Sequence, residues 1–295
     1  FALGGAGTVF VESTAVEPRG RNTHADTGLW DDAQVPPLAR IAAMLKHHGA
    51  VPAIQLGHTG RKAALNAPWN GHGPLTARDA QRGEAPWPVV GPSALPVGEG
   101  WQTPRALTEA DIEALIEAYG AATRRAADAG FELLEIHGAH GYLIHQFLSP
   151  LANQRQDAWG GSPAARQRFP LAVARAVRAR WPAHLPLAWR LSMTDLDDGT
   201  LPLDEMVGFV GALRDIGIDV LDCSSGGGIS AYPTQGSNVP RGLEFRAQDA
   251  QVLRARTGIA IMAVGFVIRP QLAQSLVGHR QADLGRITDI ARRLD

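Results

Sequence analysis

Cysteine is almost missing from this chain, with Cys223 the one thiol in 295 residues. That excludes an internal disulfide framework and any cluster held by several cysteines of the chain, and it fits a reducing cytoplasm. Neither sign of charge dominates. A formal net charge of −1 leaves no broad basic field for nucleic acid or an acidic membrane face. Local pairs such as Arg124-Arg125 and Arg292-Arg293 read as solvated helix faces. No apolar run approaches the roughly 20 residues of a membrane span. The opening stretch FALGGAGTVFVES has neither the basic start nor the cleavage site of a leader, and reads as the end of a helix running into a strand. A dinucleotide fingerprint is also missing. GGAG at Gly4–Gly7 precedes a strand, and SSGGG at Ser224–Gly228 follows one without the spaced third glycine. The second run can still offer backbone N–H groups to a ligand.

What is present is apolar residue in quantity, 45% of the chain, enough for a large core. A barrel of roughly 250 residues can be one domain, so a single domain over residues 1–295 is expected. Short β-rich runs alternate with helical patterns. Strands are predicted at Thr8–Ser13, Val51–Gly57, Leu133–His137, Leu185–Ser192, Val220–Ser225 and Ile259–Gly265, with a stub at Ala282–Leu284. Helices are predicted at Asp32–His48, Thr108–Ala129, Pro163–Trp181, Leu203–Ile216, Ala247–Thr257 and Pro270–Gly278. Thr108 with Asp111 forms a short capping box, Gly130 follows the last turn, and Ser162-Pro163 is an equally clear start. The proline-rich stretch 66–108 is long for a loop and is expected to act as a lid or interface, anchored by Trp69, Trp87 and Trp101.

Repeated strand–helix units imply parallel strands. Within the strands, Leu134 and Ile136 oppose Leu133, Glu135 and His137; Leu187 and Trp189 oppose Ala188 and Arg190; Ile54 and Leu56 oppose Ala53 and Gln55; Leu221 and Cys223 oppose Val220, Asp222 and Ser224. One face is apolar, and the other carries a polar residue near the strand's C-terminal end. A doubly wound sheet has helices on both faces and requires both to be apolar. An α/β barrel of the (β/α)8 TIM type, with its site at the C-terminal rim, is the expected fold.

On that barrel, Gln55, Glu135, His137, Arg190 and Asp222 point inward, and such charges must pair or bind something. Arg190 with Glu135 as a purely structural ion pair is one reading. His137, His140 and Tyr142 at the same rim give another, a site that holds a carbonyl oxygen and supplies a proton. The HxxH spacing lacks a third metal ligand and leaves a strand rather than lying on a helix, so no metal is expected. His145 reads as structural.

QLGHTGRK (Gln55–Lys62), EIHGAHGYLIHQFLSP (Glu135–Pro150), NQRQDAWGGS (Asn153–Ser162), RLS (Arg190–Ser192) and VESTAVEPRGR (Val11–Arg21) together resemble the old yellow enzyme family. The likeness is strongest to its bacterial NADPH dehydrogenases, or ene-reductases. It implies a (β/α)8 barrel holding FMN, with NADPH as reductant, a small-molecule substrate and a homo-oligomer. It also implies roles. Gln55 binds the flavin's pyrimidine edge, Arg190 its N1–C2 region, and Ser13 abuts the ring. Gly265 belongs to the cofactor site, and Gly285 with Arg286 grips the phosphate. His137 and His140 hold the substrate oxygen, Tyr142 donates a proton, and His58 and Lys62 line the cavity.

Two departures from the family pattern shape the expectation. No strand ending in a PMCQY-like motif occurs, and the family's ADLVxxGRxxLxDP reads ADLGRITDIARRLD here. The barrel is therefore expected to be incomplete, without the first strand and with the eighth shortened, which opens one seam. A catalytically weak or inactive relative that binds FMN poorly is the alternative to an active ene-reductase. The iron–sulfur relatives are excluded by the cysteine count.

Overall fold

The computed structural model describes residues 1–71, 73–193, 201–224, 244–264 and 282–286, with isolated positions between 271 and 278. In chain order the strands are β1 (Thr8–Ala15), β2 (Val51–Gly57), β3 (Val90–Gly91), β4 (Arg105–Ala106), β5 (Leu133–Gly138), β6 (Leu187–Ser192), β7 (Val220–Ser224), β8 (Ala260–Val264) and β9 (Leu284–Arg286). The helices are α1 (Val35–His47), α2 (Glu109–Asp128), α3 (Leu143–Leu148), α4 (Pro163–Arg178), α5 (Leu203–Ile216) and α6 (Glu244–Thr257). Seven strands form one sheet in the order β1-β2-β5-β6-β7-β8-β9, and each neighbouring pair is parallel. Strands β3 and β4 form a separate two-stranded ladder inside the long loop.

The two faces of the sheet differ as the alternation requires. Leu134, Ile136, Trp189, Leu221 and Ile261 face outward into a large core with Ile112, Leu115 and Tyr119 of α2, Phe169 and Val173 of α4, and Phe209 of α5. On the opposite face Ala53, Leu133 and Ala188 gather with Phe10 and Val220, an apolar floor. This is the wall of a TIM-type barrel. Among the described residues β1 and β9 do not pair, so the barrel is open there, and β9 spans only three residues.

Several boundaries differ from the sequence expectation. Helix α1 begins at Val35, after a 3-10 turn at Asp32–Gln34 whose capping box runs between Asp31 and Gln34. Pro36 and Pro37 lack the N–H groups an earlier start would use, and suit a first helical turn. Helix α2 keeps the predicted Thr108–Asp111 box, and α4 keeps the Ser162 cap but ends at Arg178. The stub strand lies at Leu284–Arg286 rather than Ala282–Leu284. The chain opens on a 3-10 turn at Ala2–Gly4 before β1, not on a helix end. In the long loop Trp87 donates its Nε1–H to Arg19 O at 3.0 Å, but Trp69 is 77% exposed and anchors nothing. Most of the helix expected at Pro270–Gly278, and the runs Ser225–Gly228 and Arg292-Arg293, fall outside the described residues. No described helix is long and apolar enough to cross a membrane.

Strand β1 carries a feature its sequence does not announce. Its register against β2 shifts between Val11, opposite Ile54, and Ser13, opposite Gln55. Glu12 is the extra residue. Simple alternation would put Glu12 on the inward face with Phe10; the bulge turns it out and brings Ser13 in. Glu12 is exposed and accepts the Thr27 hydroxyl at 2.9 Å.

Candidate active site

Above the floor, the inward side chains form a polar tier. Gln55 Nε2 donates to Glu135 Oε1 at 2.6 Å, with both side chains buried. Arg190 Nε lies 3.5 Å from Asp222 Oδ2, and Arg190 Nη2 donates to Ser224 Oγ at 3.2 Å. Glu135 thus meets Gln55 through a hydrogen bond, and the ion pair that Arg190 makes here is with Asp222. Register explains the exchange: Gln55 stands opposite Glu135 on β2–β5, and Arg190 stands opposite Asp222 on β6–β7.

The rim tier is built where β5 ends. His137 Nδ1 accepts the Ala139 N–H at 3.2 Å. His140 then takes a left-handed backbone, φ 61°, a conformation that costs a non-glycine residue energy and needs support. That support comes from both sides of its peptide. The His140 N–H donates to Ser192 Oγ at 3.0 Å, and the fully buried Lys62 donates from Nζ to His140 O at 3.2 Å. So held, His140 Nδ1 faces His137 Nε2 at 3.3 Å, and His140 Nε2 faces Ser224 Oγ at 2.8 Å. The Tyr142 ring lies 4.8 Å from that of His137 and 6.5 Å from that of His140. Tyr142 caps α3, and the Leu143 N–H bonds His58 O at 2.9 Å.

Burial pushes the His140 pKa well below its usual range, and the positive charges of Arg190 and Lys62 press the same way. His140 is neutral at pH 7. His145 is lowered to about 3 by burial and by Lys62, and its Nδ1 accepts the Gly141 N–H at 2.9 Å, which is a structural use.

The structure therefore brings Gln55, His137, His140, Tyr142 and Arg190 to one end of the barrel. Ser13 joins them through the bulge. His58 has protein partners of its own: its buried ring bonds Glu17 Oε1 at 2.7 Å and accepts the Gly60 N–H at 2.9 Å. Burial pushes the Glu17 carboxyl up, but the hydrogen bond and charge of His58, then Arg19, hold it below its ordinary value. Gly285 and Arg286 stand on β9 opposite Ala263 and Val264, while Gly265 falls outside the described residues. Ser192 appeared in the sequence reading only within RLS, and Ser224 only on the inward face and in the SSGGG run, neither with a role of its own. Their phase is the signal that could have found them, since each lies two residues beyond an inward charge, Arg190 and Asp222.

The match to a family model extends over residues 2–292 and describes NADH:flavin oxidoreductases and NADH oxidases. The chain belongs to that family. Within it, the chain is 38% identical to the NADPH dehydrogenase of Geobacillus sp. (strain WCH70) over 287 residues, covering 96% of this chain and 75% of that one. The NADPH dehydrogenase of Bacillus licheniformis is 38% identical over 283 residues with the same coverage. Among solved structures, morphinone reductase aligns with a TM-score of 0.76 at 26% identity, covering 96% of this chain and 74% of that one. A 2-naphthoyl-CoA reductase in complex with 2-naphthoyl-CoA aligns with a TM-score of 0.81 at 26% identity, covering 96% of this chain but 42% of its own.

As an old yellow enzyme-type flavoprotein, the chain is an FMN-dependent oxidoreductase with NADPH as reductant. The residues present fit that cofactor. Arg190 Nε is buried and makes no hydrogen bond within the protein, leaving a cationic donor for a ring edge that gathers negative charge. Gly57 lets its backbone pass close to Ser13 and His137, since a Cβ there would lie 2.9 Å from Ser13 Oγ and 3.4 Å from His137 Cβ. Gln55 adds an amide, which can both donate and accept, as a pyrimidine edge requires.

Proposed function

We propose that this oxidoreductase reduces the carbon–carbon double bond of α,β-unsaturated carbonyl compounds, consuming NADPH. The observation that carries this reading is the convergence of two imidazoles, nitrogens 3.3 Å apart, beside the Tyr142 ring and joined to Arg190 through Ser224 Oγ. Bound FMN supplies the electrons it takes from NADPH. Gln55, Ser13 and Arg190 hold the cofactor ring, the Arg190 cation balancing negative charge that develops there. Gly285 and Arg286 grip the cofactor's phosphate, and Gly265, outside the described residues, also belongs to the cofactor site. His137 and His140 hold the substrate's carbonyl oxygen and draw electron density out of the conjugated double bond. Tyr142 gives a proton to the α-carbon.

In FMN-loaded protein, His137→Ala should weaken a phenol's binding by roughly ten-fold or more, the worth of a hydrogen bond to a charged oxygen, while FMN stays bound. Phenol titration followed by the long-wavelength absorbance band reads this directly, and an unchanged band sinks the oxygen-binding role. Tyr142→Phe should slow alkene reduction by about 100-fold or more and spare flavin reduction by NADPH; equal slowing of both half-reactions removes Tyr142 as proton donor. A catalytically weak relative that holds FMN poorly is the competing reading, favoured by the open β1–β9 edge among the described residues. Flavin content of the purified chain separates the two.

A further inference from the structure

The hydrogen bonds at the rim have a direction. His137 Nδ1 accepts the Ala139 N–H, so the proton of its neutral ring sits on Nε2. That Nε2–H points at His140 Nδ1, which must then be the accepting nitrogen, so the proton of neutral His140 sits on Nε2 and points at Ser224 Oγ. Ser224 Oγ also accepts from the Arg190 guanidinium. In this arrangement the serine is a double acceptor between a cation and an imidazole N–H.

A carbonyl or phenolate oxygen held by both histidines needs the opposite arrangement. His137 can turn its Nε2–H to the ligand, but His140 Nδ1 is a bare lone pair and would repel it. Only the other tautomer, with the proton on Nδ1, can donate. Nε2 then becomes an acceptor, and the neighbour 2.8 Å away must offer it a proton. A hydroxyl can do both jobs by rotation about its C–O bond.

We infer that Ser224 is a positioning residue that switches from acceptor to donor toward His140 when an oxygen ligand binds, and so couples Arg190 to the substrate oxygen. This rests on the ene-reductase reading, because it assumes that the paired histidines grip an oxygen. In the switched state all donors run one way: Arg190 Nη2–H to Ser224 Oγ, Ser224 Oγ–H to His140 Nε2, His140 Nδ1–H to the ligand. Chains of that kind polarise one another and strengthen. The ring loses one proton at Nε2 and gains one at Nδ1, both exchanged with water, so its charge is unchanged. The depressed His140 pKa agrees with a ring that changes tautomer rather than charge. Ser224 is buried at the end of β7, and the left-handed backbone of His140, clamped by Ser192 and Lys62, keeps the imidazole in its reach.

The test is a double-mutant cycle on FMN-loaded protein, titrated with para-chlorophenol. Ser224→Ala should weaken phenol binding at least five-fold in the parent, but less than two-fold when His140 is already alanine. Nitrogen-15 NMR of the His140 ring should show the proton on Nε2 without phenol and on Nδ1 with it. An unaltered affinity in Ser224→Ala overturns the inference, as does an equal loss in both backgrounds or a ring proton on Nδ1 before phenol is added. The His137→Ala titration separates this from the underlying reading. If His137→Ala weakens binding and Ser224→Ala does not, only the Ser224 coupling is wrong; if neither does, the oxygen-gripping site itself is wrong.

Discussion

Gly57 shows how little slack the site has. The added methyl of Gly57→Ala would press on Ser13 Oγ at 2.9 Å and His137 Cβ at 3.4 Å. The hydroxyl can rotate away, but His137 is fixed by its strand. Overpacking of this kind costs about 1–3 kcal/mol, so Gly57→Ala should lower the denaturation midpoint and weaken phenol binding together; a loss of stability with unchanged phenol affinity would place His137 away from the ligand. The histidines also set an acid limit. His145, lowered to about 3, is buried in its neutral form, whereas the unfolded chain protonates it near about 6.5. A histidine with a depressed folded pKa contributes stability that is complete above the unfolded value and is lost as pH falls toward the folded one. His140 is depressed in the same direction. Unfolding free energy should therefore drop between pH 6.5 and pH 4.5, by at most about 1.4 kcal/mol per pH unit for each such ring. Denaturant melts at pH 7, 6 and 5 check this, and His145→Gln should flatten the slope.

Among the elements, α2 depends most visibly on one carboxylate. Asp111 accepts from the Thr108 N–H at 2.8 Å, the Thr108 hydroxyl at 2.7 Å, and Arg105 Nη1 and Nη2 at 2.6 and 2.9 Å. The Arg105 hydrogen bond, against some opposing burial, and then Thr108 hold the carboxyl far below its usual range. Asp111→Ala should cost about 1 kcal/mol through the lost cap, with little added by the half-exposed ion pair, and leave flavin content unchanged. This cap was legible in the sequence because Thr108 and Asp111 stand at fixed local spacing. Helix α3 was legible only as a turn near His145. All six of its residues are buried, so it shows no polar face and no period to read. The β1 bulge was not legible either, because it is fixed by pairing with β2 and no glycine marks it. The same holds for the partners of Glu135 and Arg190. Alternation shows which residues face inward, but which charge meets which depends on strand register, a property of two strands at once.

At the scale of the whole molecule, sequence order and spatial order coincide across the seven-stranded sheet, which is why strand–helix alternation pointed to parallel neighbours, while the one polar face within the strands chose the barrel over a doubly wound sheet. The buried polar tier links that wall to the cofactor. Arg190 keeps the wholly buried Asp222 in company through Nε, 3.5 Å from Oδ2, a contact of charge that leaves the Nε–H without a hydrogen-bond acceptor. Two consequences can be measured on one chain. FMN binds the folded state, so unfolding free energy should rise with free FMN as RT ln(1 + [FMN]/Kd), about 2.7 kcal/mol at one hundred times Kd. Arg190→Met leaves the Asp222 carboxylate buried beside an uncharged chain, which should lower the FMN-free stability by up to about 3 kcal/mol. If Arg190 also holds the flavin, the same variant must show a smaller gain at equal FMN concentration. Thermal melts across an FMN series read both quantities at once. A variant that loses FMN-free stability but keeps the full FMN-dependent gain would confine Arg190 to the wall and remove it from the cofactor site.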